Sequence, residues 1–134
     1  LIVDFPPGTG DVQISMSQKL KLNGTLIVTT PQLLSLKDVV RGINMFIKVG
    51  VPILGVIENM SYLDEVGQKK YIFGTSKTKS LLLKENVNLL EELPFNINIP
   101  KSCDEGKPYC FDFKDDYSSK FINITNQIIK KLQN

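Results

Sequence analysis

Histidine and tryptophan are absent from this 134-residue chain, and cysteine occurs only twice. Without histidine the chain supplies no imidazole base, no triad histidine and no histidine metal ligand. Cys103 and Cys110 could act as thiolate ligands, but two ligands are half of a tetrahedral site and their spacing is not the compact C-x-x-C of such sites. They read as two separate thiols of a reduced, intracellular protein rather than a disulfide. No apolar run reaches the roughly 18 residues of a membrane span, and no signal peptide pattern is present. The formal net charge of +2 is too small to argue for nucleic acid or an anionic membrane. The chain opens without Met on a strand-like Leu1-Ile2-Val3, so a fragment of a longer protein is expected, cytoplasmic rather than mitochondrial.

The remaining composition is that of a globular protein, 42% hydrophobic and 22% charged, with the length of one domain. Such a chain buries roughly two-thirds of its unfolded surface. Apolar runs predict strands at 1–4, 24–30, 52–57 and 88–93. Between them lie predicted helices. Asp11–Leu20 has Asp11 as N-cap and Val12, Met16 and Leu20 on one face. The next starts at Thr30-Pro31, with Leu36, Val39, Val40, Ile43 and Phe46 at three- and four-residue steps, and ends before Gly50 and Pro52. Thr75–Asn86 carries Leu81, Leu82 and Leu83, and Tyr117–Leu132 is amphipathic. Residues 61–74 are less regular, with a short extended piece at 71–74, and 96–116 read as loop with a turn near Gly106. The alternation predicts an α/β fold: a doubly wound, mostly parallel sheet with flanking helices, one domain over 1–134.

In such a sheet, ligands bind at the carboxyl ends of the strands. Four places meet that condition: Asp4 to Asp11, Thr29 to Gln32, Glu58 to Met60, and Pro94 to Asn96. Asp4 either holds a water of a magnesium ion or caps a turn. Gly8 and Gly10 let backbone amides approach a phosphate. Asn59 can donate and accept hydrogen bonds together, as an adenine edge requires, but on the residues alone it reads as a loop asparagine satisfying backbone. Lys69, Lys70, Lys77, Lys79 and Lys84 read as solvated faces.

These residues resemble the Mrp (ApbC-type) P-loop ATPases, nucleotide-binding iron–sulfur cluster carriers related to MinD and ParA. The matching blocks are Asp4-Phe-Pro-Pro-Gly-Thr-Gly-Asp11, Thr29-Thr-Pro-Gln32, Arg41 to Phe46, Val51 to Tyr62, Ile72-Phe-Gly74 and Gly106-Lys-Pro108, in the family's order. The resemblance implies the C-terminal portion of a P-loop domain, starting at its Walker B strand. It implies that Asp4 is the catalytic Walker B acid, holding magnesium through water, and that Pro6, Pro7 and Gly8 form the switch loop that senses the γ-phosphate. It implies that Asn59 reads adenine and that Pro94 and Asn96 flank it. The family usually carries Asp where Asn96 stands.

Two departures shape the expectation. The glycine-rich phosphate loop with its lysines is nowhere in the chain. Phosphoryl transfer depends on positioning and charge stabilisation, so ATP hydrolysis is expected of the full-length protein and not of this chain alone. The family's Cys-Pro-x-Cys, which bridges a [4Fe–4S] cluster between two subunits, is replaced by Tyr62-Leu-Asp-Glu-Val-Gly67. The resemblance implies ATP and magnesium as cofactors, a homodimer or a heterodimer with a related ATPase, and iron–sulfur apo-proteins as partners. The alternative reading is a MinD- or ParA-like regulatory module that binds partners according to its nucleotide state and carries no cluster.

Overall fold

A computed structural model describes residues 1–6, 8 and 10–133 of the chain. Along the chain the elements are α1 (Asp11–Lys19), β1 (Thr25–Thr29), α2 (Leu33–Lys48), β2 (Ile53–Glu58), β3 (Leu63–Glu65), β4 (Gln68–Lys70), α3 (Thr78–Lys84), β5 (Leu89–Glu92), α4 (Asn98–Asp104), α5 (Tyr109–Asp112) and α6 (Asp116–Gln133). Three of the four predicted strands pair as a parallel sheet in the order β1-β2-β5. Parallel neighbours need a crossover, and α2 and α3 supply the two here.

Strand β2 lies in the middle and is buried from Gly55 to Glu58. Its side chains alternate between two helical layers. Val56 packs with Val39 and Ile43 of α2 and Leu82 of α3. Ile57 packs with Leu90, Tyr109, Tyr117 and Ile124, under α5 and α6. The architecture is α/β with a parallel sheet and flanking helices, as the sequence pattern predicts. The edge strand β5 carries an acid to each layer. Glu91 takes Lys120 of α6 at 3.0 Å, and Glu92 takes Lys79 of α3 at 2.9 Å. Charges on an edge also discourage pairing with a foreign strand.

The structure departs from the sequence reading in definite places. Residues 1–4 form no strand, and Leu1 and Ile2 are exposed. An extended segment needs a ladder partner for its amides and carbonyls, and none of the three sheet strands pairs with this one. Helix α1 has Gly10, not Asp11, as its N-cap and turns Gln13 and Ser17 inward, leaving Val12 and Leu20 exposed. It docks through Ile14 on the cluster of Met45, Phe46 and Val51, while the Gln13 amide donates to the Pro6 carbonyl at 2.9 Å. Helix α2 starts after Gln32 rather than Thr30. The Thr30 hydroxyl instead meets the Gln32 side chain at 3.1 Å and the Ser35 hydroxyl at 2.9 Å. Residues 63–70 form an antiparallel hairpin, turned at Val66 and Gly67, both at positive φ. Segment 96–116 holds two short helices rather than loop alone.

Gly55 sits where β2 is pressed against β5. A Cβ built there would lie 2.5 Å from Leu90 Cγ and 3.0 Å from the Asn88 carbonyl oxygen. Its φ is +151°.

The junction of α5 and α6 is tied by a polar chain. The Asn96 amide donates to the Tyr109 hydroxyl at 2.9 Å, and that hydroxyl donates to Asp115 Oδ2 at 2.5 Å. The other Asp115 oxygen accepts the Ser118 amide at 2.9 Å, in the first turn of α6. The Tyr109 hydroxyl, and next the Ser118 amide, hold the Asp115 carboxyl below its usual range. Burial, and then the hydrogen bond to that carboxylate, push the Tyr109 phenol up. A depressed carboxyl contributes stability above its ordinary pKa and loses it as pH falls through the folded value.

Two outcomes test this account. Gly55→Ala destabilises the fold by about 1–3 kcal/mol in urea titration, because the methyl has no room and the backbone there is unfavourable for alanine. Asp115→Asn removes the charge beside Tyr109, so the Tyr109 transition, followed by its own ring resonances in a pH titration, moves down toward the ordinary phenol value while burial still holds it above that value. An unmoved transition would break the proposed pairing.

Candidate functional site

The carboxyl ends of β1 and β2 meet where Thr29 pairs with Glu58. The ladder does not stop at the strand ends. The Asn59 amide donates to the Thr29 carbonyl at 2.7 Å, Leu93 to Glu58 at 2.8 Å, Ser61 to Leu93 at 2.9 Å, and Phe95 to Tyr62 at 2.8 Å. Three of the four strand ends expected to converge are thereby stitched into one edge: Thr29–Thr30, Glu58–Tyr62 and Leu93–Asn96.

Asn59 is half-buried on this edge. Its Oδ1 accepts the amide of Met60 at 2.9 Å, which supports a left-handed turn at Met60, φ 54°. Its Nδ2 has no hydrogen-bond partner among the described residues. The side chain therefore satisfies backbone and keeps a donor available.

Asn96 is differently placed. Its Nδ2 donates to Tyr109, and its Oδ1 accepts the amide of Asn98 at 2.9 Å. Both ends of the amide are engaged inside the protein, so its contribution to a ligand would come from backbone rather than side chain. Pro94, half-buried, stands between Leu93 and Phe95, whose amides hold the two sides of the edge together.

Asp4 is exposed, with no ion pair or hydrogen bond among the described residues. Its neighbour Phe5 meets the ring of Phe46 edge-on at 6.4 Å. Phe46 lies near the C-terminal end of α2, which faces the amino ends of the strands because α2 crosses over between two parallel strands. The contacts of segment 1–6 thus lie on the α2 layer and not on the edge that carries Asn59. Gly8 takes φ 105°, a conformation that favours glycine. The Pro6 carbonyl is used by Gln13. Pro7, also expected in the switch loop, lies outside the described residues.

Sequence reasoning placed Glu58 among the polar strand ends but gave it no role of its own. Glu58 is fully buried. Its Oε2 accepts the Ser76 hydroxyl at 2.5 Å and the Thr78 hydroxyl. Its Oε1 has no partner among the described residues. An acid ending an otherwise apolar strand is the only signal the chain offered for it, since its partners come some twenty positions later.

The two thiols are separate: Cys103 is exposed on α4, and Cys110 packs partly buried against the α6 layer. Among the described residues no group of three or more acids, cysteines or histidines could hold a metal ion. Among the same residues no helix is long and apolar enough to cross a membrane.

Comparison with known proteins matches this architecture. The chain is 43% identical over 136 aligned residues to the iron–sulfur cluster transfer protein NUBPL of Dictyostelium discoideum, covering 99% of this chain and 42% of that protein. It is 42% identical to the iron–sulfur protein required for NADH dehydrogenase, mitochondrial, of Arabidopsis thaliana, covering 99% and 44% respectively. The chain thus spans less than half the length of these relatives. A solved nucleotide-binding protein from Archaeoglobus fulgidus, in complex with ADP, superposes with a TM-score of 0.67 at 35% identity, over 81% of this chain and 47% of that one. The family profile described as "ParA: NUBPL iron-transfer P-loop NTPase" matches residues 1–132. With the parallel sheet, the stitched carboxyl edge and these matches together, the chain belongs to the NUBPL iron-transfer P-loop NTPase family.

Proposed function

We propose that this chain is the C-terminal half of a nucleotide-dependent iron–sulfur cluster carrier, and that its carboxyl edge forms the nucleobase end of an ATP site. The observation that carries the proposal is Asn59: an amide fixed on the carboxyl edge of the central strand with its Nδ2 donor unspent. A donor there matches a ring nitrogen of adenine, and an ADP complex is known for a relative of the same fold. Pro94 and the backbone of Asn96 flank the same place.

The residues fit the implied cofactors unevenly. Asn59 fits the base. Asp4 is exposed and unpaired, but its segment packs on the α2 layer away from the Asn59 edge. A magnesium ion held through its water, with phosphates completing the shell, would need this segment to take a strand place in the full-length protein. Bound magnesium would neutralise charge on the transferring phosphoryl group. Residues 1–4 and the open edge of β1, where Val28 is exposed, gain their strand partner from the remainder of the full-length protein. The lysine-bearing phosphate loop comes from that remainder too, so hydrolysis belongs to the full-length protein. The cargo is an iron–sulfur cluster passed to apo-proteins, by likeness to relatives named for cluster transfer. The Arabidopsis relative, named as mitochondrial, brings that compartment forward beside the cytoplasmic expectation.

A second reading keeps the nucleotide and drops the cluster. It is favoured by the hairpin of β3 and β4, which carries no cysteine where the family places its bridging pair, and by the separation of Cys103 and Cys110.

In the full-length protein, Asp4→Ala lowers ATP hydrolysis by about a hundredfold, as loss of a group acting on the transition-state charge does. Equal rates would remove Asp4 from the reaction. Anaerobic reconstitution with iron and sulfide separates the two readings: a stoichiometric visible absorbance band supports cluster carriage, and its absence supports the regulatory module.

A further inference from the structure

Glu58 and Glu92 are register partners on adjacent strands. Their side chains point to the same face, the one covered by α3. Two carboxylates so placed repel unless hydrogen-bond donors or a counter-charge offset them. The segment leading into α3 supplies what they need. Ser76 and Thr78 donate hydroxyls to Glu58, and Lys79 donates its ammonium to Glu92 at 2.9 Å. Glu92 first, and the Glu58 charge in smaller part, raise the Lys79 pKa.

The same segment is laid across the edge at its other end. Tyr71 stands 6.2 Å from the ring of Tyr62, and Phe73 stands 5.8 Å from Phe95. Residues 71–75 are exposed and belong to neither a strand nor a helix. Their position therefore depends on these ring contacts and on the Glu58 clamp. Tyr62 and Phe95 are the residues that close the edge behind Asn59 and Pro94. Through Tyr62 and Phe95 the segment is tied to the same edge that carries Asn59.

Burying a carboxylate costs several kcal/mol, and an apolar residue of similar volume would stabilise such a site as well or better. Glu58 is fully buried, has one oxygen without a partner, and directly precedes Asn59. We propose that Glu58 is a positioning residue for the nucleobase end of the site: by holding Ser76 and Thr78 it keeps segment 71–79 across the carboxyl edge and fixes the amide of Asn59. The inference rests on the nucleotide reading given above.

The test uses the full-length protein and equilibrium binding of fluorescent ATP and GTP analogues. Three variants are compared: Ser76→Ala with Thr78→Val, Glu58→Gln, and the core truncation Ile43→Val. Removing both hydroxyls weakens ATP by about tenfold, the worth of two such hydrogen bonds, and brings the ATP and GTP affinities together. Glu58→Gln keeps a carbonyl for the two hydroxyls and retains the preference for ATP. Ile43→Val lowers the melting temperature and leaves the preference intact, which separates positioning from stability. If the double variant keeps the wild-type preference, Glu58 has only a structural role and the inference fails while the nucleotide reading stands. If the wild-type protein binds neither analogue, the nucleotide reading fails and takes this inference with it.

Discussion

The carboxyl edge of this protein is organised around one carboxylate that never meets water. Glu58 ends the central strand, and its backbone and side chain serve different partners. The carbonyl accepts Leu93 and the Ser61 hydroxyl, which joins β2 to β5 and to the turn that follows. The side chain accepts two hydroxyls from the start of α3. Through these bonds the edge, the turn at Met60 and the exposed segment 71–75 form one connected unit. An unpaired buried charge costs more than a hydrogen bond returns. The unit therefore either keeps these bonds together or loses its geometry.

How much of this was legible in the chain depended on the range of the forces involved. Helices α2 and α6 were legible because their apolar residues recur at helical spacing against a broad sheet face, and Leu36, Val39, Ile43 and Ile124 are buried as that spacing requires. The strands around Val56 and Leu90 were legible as apolar runs. The inward face of α1 was not, because docking on Phe46 through Ile14 and bonding Gln13 to Pro6 outweigh a weak apolar stripe. The β3–β4 hairpin was not, because its strands are three residues each and fully polar except at Leu63. Its turn is set by Val66 and Gly67 at positive φ and by Asp64 Oδ1, which accepts the Gly67 amide at 2.9 Å.

The site shows the same division. Asn59 was legible as a polar residue at a strand end, and the structure gives it both a backbone duty and a spare donor. Asn96 was legible as a position, but its amide is engaged by Tyr109 and Asn98, partners that a linear reading does not bring near. Asp4 was legible from the glycine-rich loop that follows it. In the structure it is exposed with no strand beside it, while its neighbour Phe5 meets the ring of Phe46. Glu58 was visible only as an acid at the end of an apolar run.

Under the proposed function the base-binding edge and the phosphate-binding loop would lie in different halves of the full-length protein, with the nucleotide between them. The central claim is that Asn59 lies at the base. Titrating isotope-labelled full-length protein with ADP and following the side-chain amide resonances tests it most directly. The account predicts that the Asn59 Nδ2 resonances shift on binding while those of Asn96, held by Tyr109, move little. Binding of ADP with the Asn59 resonances unmoved would contradict it.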